Sequence, residues 1–421
     1  MGTANKRIIQ NIFRSYFSHI KNIKLPVKDI RAAEAIMLCR TPEQGYNYLA
    51  CPEGHEGKIQ THSCKHRSCP ICADKARHTW IESQKSRLLN CAHYHVIFTL
   101  PHEYLKLWQY NRKWFTNAIF KASRDTLMTL SEDKRYLGAT PGILMTLHTW
   151  GRQLNYHPHV HCLVTAGGAT KTNEWKGLEG DYLLPIRVVK ALYRGKLQSY
   201  IKTAIKQNEL RLPEGCSENA MLKLIKQLYK KQWSVRIQEK YEHGKGVVLY
   251  LARYIKGGPI KPEQIISCGN KIVFLYKDHR DQKVKSLSLN RDEFMRRILW
   301  HVPEPGIHVV RHYGLYASKN QNKRKGCREE IGGIKEAEIK TGKEEESTLD
   351  WCCEECGTSL RCLFSMFRPG RYENSYKKEY AVRIHVQQDV HADFANMPQI
   401  RDPCKYALPR SFFGGMRSRI T

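Results

Sequence analysis

The chain has 421 residues, and its 70 Lys and Arg against 40 Asp and Glu give a formal net charge of +30 with 19 His neutral. A 41% hydrophobic and 26% charged composition excludes a disordered polypeptide, and the length is ample for two or three domains with sizeable cores. The cationic excess predicts a polyanionic partner, and nucleic acid fits better than a membrane, because no apolar run approaches the roughly 18–20 residues that span a bilayer.

Near the N-terminus, Lys6, Arg7 and Arg14 interrupt the apolar residues, which argues against a signal peptide. Ile8, Ile9, Ile12, Phe13, Tyr16, Phe17 and Ile20 recur at helical spacing and predict an amphipathic helix. The odd count of 15 Cys points to a reducing compartment, where clustered Cys bind metal more often than they form disulfides. Five of them, Cys39, Cys51, Cys64, Cys69 and Cys72, fall in a stretch too poor in aliphatic residues to be held by burial alone. A metal supplies what such a core lacks.

YHVIFTL (94–100) predicts a buried strand stopped by Pro101, and a helical region follows around 104–130. ILMTLHTW (143–150) and HVHCLVTA (159–166) predict a strand pair joined by GRQLNYHP. Residues 186–240 read as mostly helical, broken at Pro213-Glu-Gly, and a further helix spans about Gly246–Lys256 before Gly257-Gly258-Pro259. KIVFLYKD (271–278) and KVKSLSLN (283–290) predict a second hairpin. The polar, charge-mixed segment 317–348 reads as a linker, and the basic tail beyond it carries Cys352, Cys353, Cys356 and Cys362.

His157-Pro158-His159-Val160-His161 opens one of these strands, so His159 and His161 project from the same face and suit a divalent cation. A third ligand is needed, with His148, Gln153 and His157 as candidates. Tyr250 and Tyr254 are helical i,i+4 neighbours, about 5–6 Å apart at Cβ, so both phenols reach one metal-bound phosphate. A metal together with Arg253 and Lys256 would favour phenolate and neutralise that phosphate.

The order Ile97-Phe-Thr-Leu-Pro101, His-Pro-His-Val-His, Tyr-x-x-x-Tyr resembles the HUH-type endonucleases of rolling-circle replication and transposition. Within them it is most similar to the two-tyrosine bacterial insertion-sequence transposases whose family is numbered ninety-one. LHTWGRQLNYHPHVHCLV (147–164), YLARYIKGGPI (250–260) and VRHYGLYA (310–317) resemble that family's blocks, and SCKHRSCPIC (63–72) resembles its zinc-binding domain. The likeness covers about residues 30–320.

The resemblance implies an α+β fold: an antiparallel-sheet HUH domain over 93–316 with flanking helices, preceded by a small zinc-binding domain within 1–92 and followed by the linker 317–348 and tail 349–421. His159 and His161 would hold Mg²⁺ or Mn²⁺. Tyr250 and Tyr254 would alternate as nucleophiles forming 5′-phosphotyrosine links and releasing 3′-hydroxyls, with Tyr250 initiating and Lys256 against phosphate. Structural Zn²⁺ would sit on Cys51, His55, Cys69 and Cys72, with Cys64 and Cys39 in reserve, and Lys65 and Arg67 would contact DNA. Cys353-Glu-Glu-Cys356 has knuckle-like spacing but no evident partner pair, so a second complete zinc site is not expected.

The expected partners are single-stranded DNA at the element's ends and target DNA, in the bacterial cytoplasm at the nucleoid. The chain lacks a P-loop, so duplex opening falls to supercoiling or a host helicase. The alternatives are a rolling-circle replication initiator or relaxase, and a non-catalytic zinc-dependent DNA-binding regulator.

Overall fold

In the computed structural model the described residues are 7–21, 25–85, 87–241, 258–278, 280–332, 351–368 and 381–384. In chain order they carry helices α1 (Ile8–Lys21) and α2 (Val27–Leu38), strands β1 (Gly45–Ala50) and β2 (Lys58–Thr61), helix α3 (Pro70–Lys85) and strand β3 (His93–Thr99). Helices α4 (Leu105–Tyr110) and α5 (Arg112–Glu132) precede strands β4 (Thr140–Trp150), β5 (Tyr156–Ala169) and β6 (Trp175–Gly177). Helices α6 (Ile186–Lys206) and α7 (Glu218–Lys230) lead to β7 (Val235–Tyr241), β8 (Ile265–Cys268), β9 (Lys271–Lys277) and β10 (Val284–Asn290). Helix α8 (Arg291–Trp300), strand β11 (Val310–Gly314), helix α9 (Gln321–Glu330) and strands β12 (Arg361–Phe367) and β13 (Ala381–Ile384) complete the order. They belong to two compact units, Met1–Gln44 with Thr61–Ser347, and Gly45–Gln60 with Thr348–Thr421.

The larger unit is built on an antiparallel sheet ordered β11-β4-β5-β3-β7, with β6 paired to β5. Its strands are rich in β-branched and aromatic residues and alternate between two environments. Val160, Cys162 and Val164 of β5, Val96 and Phe98 of β3, and Met145 and Leu147 of β4 enter the main core. There they meet Phe115, Ile119 and Phe120 of α5 and Val189, Tyr193, Leu197 and Ile201 of α6, the apolar stripes of two amphipathic helices. The ring of Phe98 lies 4.8 Å from that of Tyr193. The opposite face receives the residues of the other parity.

A second core in the same unit joins Ile9, Phe13 and Phe17 of α1 to Ala32 and Ile36 of α2, Phe294 and Ile298 of α8, and Phe274 of the three-stranded sheet β10-β9-β8. The predicted N-terminal stripe packs here. Buried Gln10 reaches from α1 to the end of α2, its amide nitrogen 3.1, 3.0 and 2.7 Å from the carbonyls of Ile36, Met37 and Cys39. Carbonyls that a helix end leaves unpaired are thereby satisfied. The smaller unit is the antiparallel sheet β13-β12-β1-β2.

The predicted α+β architecture, with its antiparallel sheet, is the one found. Two expectations change. Residues 235–241 form a strand rather than the end of a helical region, because Val235 and Ile237 alternate with Arg236 and Gln238 and the edge of β3 offers a ladder. Part of the expected linker, Gln321–Glu330, is helical, anchored by buried Cys327 against Leu163, Leu315 and Tyr316. The helix expected at 246–256, residues 333–348 of the linker, and residues 349–350, 369–380 and 385–421 of the tail lie outside the described residues. No described helix is long and apolar enough to cross a membrane.

Phe98→Ala empties a fully buried position between sheet and α6 and should destabilise the larger unit by about 3–5 kcal/mol. Urea denaturation followed by tryptophan fluorescence checks it. A shift near zero would mean that this face is not the core.

Candidate functional site

On the face of the sheet opposite the main core, the register brings histidines from three strands together. His148 pairs with His159 across the β4–β5 ladder, while Thr99 and Ile97 of β3 pair with His159 and His161. Because residues i and i+2 share a face, His95, His148, His159 and His161 all project to the same side. Ring centroids are 4.4 Å apart for His148 and His161, 4.8 Å for His159 and His161, and 5.3 Å for His148 and His159. One ring nitrogen from each of His148, His159 and His161 lies within 4.8 Å of the other two, so these three could hold one metal ion.

Their tautomers are constrained by what surrounds them. His159 Nδ1 lies 2.5 Å from the carbonyl of His157, which only accepts, so Nδ1 carries the proton and Nε2 keeps its lone pair. His161 Nδ1 and His95 Nε2 are hydrogen-bonded at 2.8 Å. Burial pushes His159 down to about 3, with the neighbouring His157 adding to it. Burial also holds His161 far below the usual histidine range and brings His95 to about 4, against a hydrogen bond that its ring donates to Gln238. At neutral pH these imidazoles are uncharged, the form that ligates metal.

The cluster lies in a cleft of about 900 Å³ lined by the β4–β5 turn, the β7 strand and the β9–β10 hairpin. Arg152, Arg236, Lys277 and Arg280 are among its lining residues, with Asp278 as the acidic exception. Gln153 and His157 also line it. Gln153 donates its amide to the Tyr276 hydroxyl at 2.8 Å, and His157 offers its carbonyl to His159. Of the three candidates for a third ligand, His148 is the one whose ring nitrogen gathers with those of both His159 and His161, while the His157 ring lies 4.9 Å from that of His159. The turn itself is pinned by His301, which bonds Thr149 Oγ1 at 3.1 Å and the Leu154 carbonyl at 3.2 Å. Tyr250, Arg253, Tyr254 and Lys256 lie outside the described residues. Pro259, five positions after Tyr254, lines the cleft.

The cysteines assemble differently from the expected set. Cys69 and Cys72 converge with Cys39 and Cys64, one sulfur from each lying within 4.8 Å of the rest. Cys72 Sγ is 3.4 Å from Cys39 and 3.6 Å from Cys64. The reason is local. Cys69 precedes Pro70, the first residue of α3, so Cys69 and Cys72 flank one helical turn, and Cys39 sits where Gln10 fixes the end of α2. Hydrogen bonds from Cys39, Cys64 and Cys69 hold the Cys72 thiol far below its ordinary range. The two sulfurs kept in reserve are thus members of this group, while Cys51 and His55 belong elsewhere. They gather with Cys353 and Cys356 in the smaller unit. Lys65 and Arg67 flank the first group and are exposed, and Arg67 donates to the Ile307 carbonyl at 3.4 Å.

The contributions of His95, Arg236 and Gln238 were not read from the sequence. His95 had a visible signal, a histidine in an otherwise apolar strand on the parity of Ile97 and Thr99. Arg236 and Gln238 had none once their segment was read as helix.

Comparison with known proteins agrees with these features. Residues 142–324 match the family described as "Putative transposase", and residues 8–100 match "Transposase zinc-binding domain". The chain is 31% identical over 334 residues to "Putative transposase y4qJ" of Sinorhizobium fredii, covering 77% of this chain and 84% of that protein. It is 29% identical over 301 residues to the transposase for insertion sequence element IS801 of Pseudomonas savastanoi pv. phaseolicola, covering 69% of this chain and 71% of that one. No solved structure matches. The chain belongs to the insertion-sequence transposase family numbered ninety-one, and is a DNA-cleaving, strand-transferring transposase with an N-terminal zinc-binding domain.

Proposed function

We propose that this transposase cuts and rejoins single-stranded DNA at the ends of its element, with Tyr250 and Tyr254 as alternating nucleophiles and a divalent cation on His148, His159 and His161. The observation that carries this reading is the convergence of three imidazoles in a basic cleft that Pro259 lines. Three protein nitrogens gathered from two strands leave the other positions of a cation open to water or phosphate oxygen, as catalytic sites require. An all-imidazole set is softer than Mg²⁺ prefers, which ranks Mn²⁺ ahead of it. When bound, the ion supplies Lewis-acid polarisation of the scissile phosphate and favours phenolate over phenol, whose pKa is otherwise about 10.

The chain's own residues do the rest. His95 accepts from His161 Nδ1 and holds that ring in place. Arg152, Arg236, Lys277 and Arg280 take up the phosphates flanking the scissile one. The tyrosine oxygen bonds to phosphorus as the P–O3′ bond breaks, and the leaving 3′ oxygen takes up a proton to become a hydroxyl. The phosphodiester is conserved as a 5′-phosphotyrosine, so rejoining needs neither ATP nor water, and a second tyrosine lets two strands be held at once. Strand opening then comes from supercoiling or a host helicase at the nucleoid. Structural zinc in the N-terminal domain is assigned to Cys39, Cys64, Cys69 and Cys72.

Purified protein with Mn²⁺ should nick a single-stranded oligonucleotide carrying the element's end and remain attached to the 5′ side. Tyr250→Phe with Tyr254→Phe should abolish nicking while oligonucleotide binding survives, and nicking at the normal rate by that double variant would refute the mechanism. Arg236→Ala should weaken binding evenly across sequences and reduce the slope of log K against log salt by about 1, read by fluorescence anisotropy at several salt concentrations. An unchanged slope would take Arg236 off the phosphate path. Cys39→Ser should lose one zinc ion per chain by elemental analysis. Full retention would return the site to Cys51, His55, Cys69 and Cys72.

A further inference from the structure

We propose that Cys51, His55, Cys353 and Cys356 form a second structural zinc site, which ties the β1–β2 hairpin to a chain segment some three hundred positions later. The family match for the zinc-binding domain ends at residue 100, so it contains one half of this site and not the other. Three sulfurs and one ring nitrogen lie within 4.8 Å of one another. Cys51 Sγ is 3.5 Å from Cys356 Sγ and 3.6 Å from His55 Nδ1. Zinc bonds of about 2.3 Å to sulfur and 2.0–2.1 Å to nitrogen give tetrahedral edges of about 3.8 Å for S···S and about 3.6 Å for S···N. The two separations from Cys51 lie close to those edges, 3.5 Å to sulfur and 3.6 Å to nitrogen, and none of these cysteines is disulfide-bonded.

The backbone is shaped for the task on both sides. Cys51-Pro-Glu-Gly54 turns back with the Gly54 N–H donating to the Cys51 carbonyl at 3.1 Å, and Cys353-Glu-Glu-Cys356-Gly357 turns back with the Gly357 N–H donating to the Cys353 carbonyl at 3.0 Å. Both glycines have positive φ, 81° and 72°, a conformation that side chains resist. The sheet register sets the two turns side by side, since Leu49 pairs with Cys362 and Ala50 with Arg361. The ring of His55 presents Nδ1 to the sulfurs while Nε2 lies 3.7 Å from the Glu355 carboxylate. At that distance the carboxylate is beyond hydrogen-bond reach, but its charge favours the proton on Nε2 and so leaves the Nδ1 lone pair for the metal.

The unit also needs such a clasp. Among the described residues the apolar core at this end of it consists of Leu49, Cys51, Cys353 and Leu360 with Trp351 and Cys362 at its margin. Two of those members are themselves ligands, and so small a core does not hold a fold by burial alone. Thiolate and imidazole donors select zinc over the hard cations. Cys362 stands apart, its thiol directed to the Phe364 carbonyl at 3.5 Å.

Elemental analysis of the full-length protein, purified under reducing conditions and dialysed against metal-free buffer, should find two zinc ions per chain. Cys353→Ser and Cys356→Ser should each retain one, and Cys356→His, which keeps four donors, should retain two. One zinc in the unaltered chain, iron in its place, or two zinc ions retained by both Ser variants would overturn the proposal. So would intact-mass analysis showing a disulfide among Cys51, Cys353 and Cys356. The count on the unaltered chain requires no variant and decides the matter where a Ser variant does not fold.

Discussion

Strand β5 has to serve two environments with one backbone, and the rest of the larger unit follows from how it does so. Val160, Cys162 and Val164 point into the main core under α5 and α6, and His159 and His161 point the other way. A shift of one residue in register would bury the imidazoles among aromatics and turn the apolar side chains toward the cleft. The same alternation in β4 and β3 adds His148 and His95 to the histidine side. The clustering of the imidazoles is thus a by-product of the interaction that stabilises the sheet. Core packing holds the proposed ligands in place without asking anything of a metal.

The cysteine groups solve a different problem. In the larger unit, Cys39, Cys64, Cys69 and Cys72 join the end of α2 to the start of α3 beside a core already supplied by α1 and α8. In the smaller unit Cys51 and Cys353, two of the proposed ligands, are a large share of the described core itself. If these groups hold zinc as proposed, its loss should be felt more heavily there, since among the described residues nothing comparable to the second core of the larger unit supports its sheet.

Much of this was legible in the amino-acid order, and the boundary of legibility has physical reasons. Short-range periodicity located β3, β4, β5, β9 and β10 and the helix α1, because each carries an unbroken alternation or stripe. It failed at β7, where Arg236 and Gln238 on one side and Lys240 at the end look as much like a helix surface as a strand edge, and only the free edge of β3 decides. His159 and His161 were readable as a pair because their relation is local. His148 was one of three candidates, since the register between strands is not written in either strand alone. The cysteine groups illustrate the same limit more sharply. Spacing joined Cys69 to Cys72 and Cys51 to His55, both correctly as neighbours, but joining those pairs to each other ignored Cys39 and Cys353, whose approach depends on the fold. Tyr250 and Tyr254 remain a reading of the family's pattern together with the position of Pro259.

The convergence of His148, His159 and His161 on one ion is the claim from which the mechanism grows, and pulsed electron paramagnetic resonance on Mn²⁺-loaded protein tests it most directly. The account predicts nitrogen-14 couplings from coordinated imidazole in the unaltered chain that weaken in His148→Ala and vanish in the combined His159→Ala and His161→Ala variant. Mn²⁺ showing no nitrogen coupling, or couplings that survive all three substitutions, would contradict it.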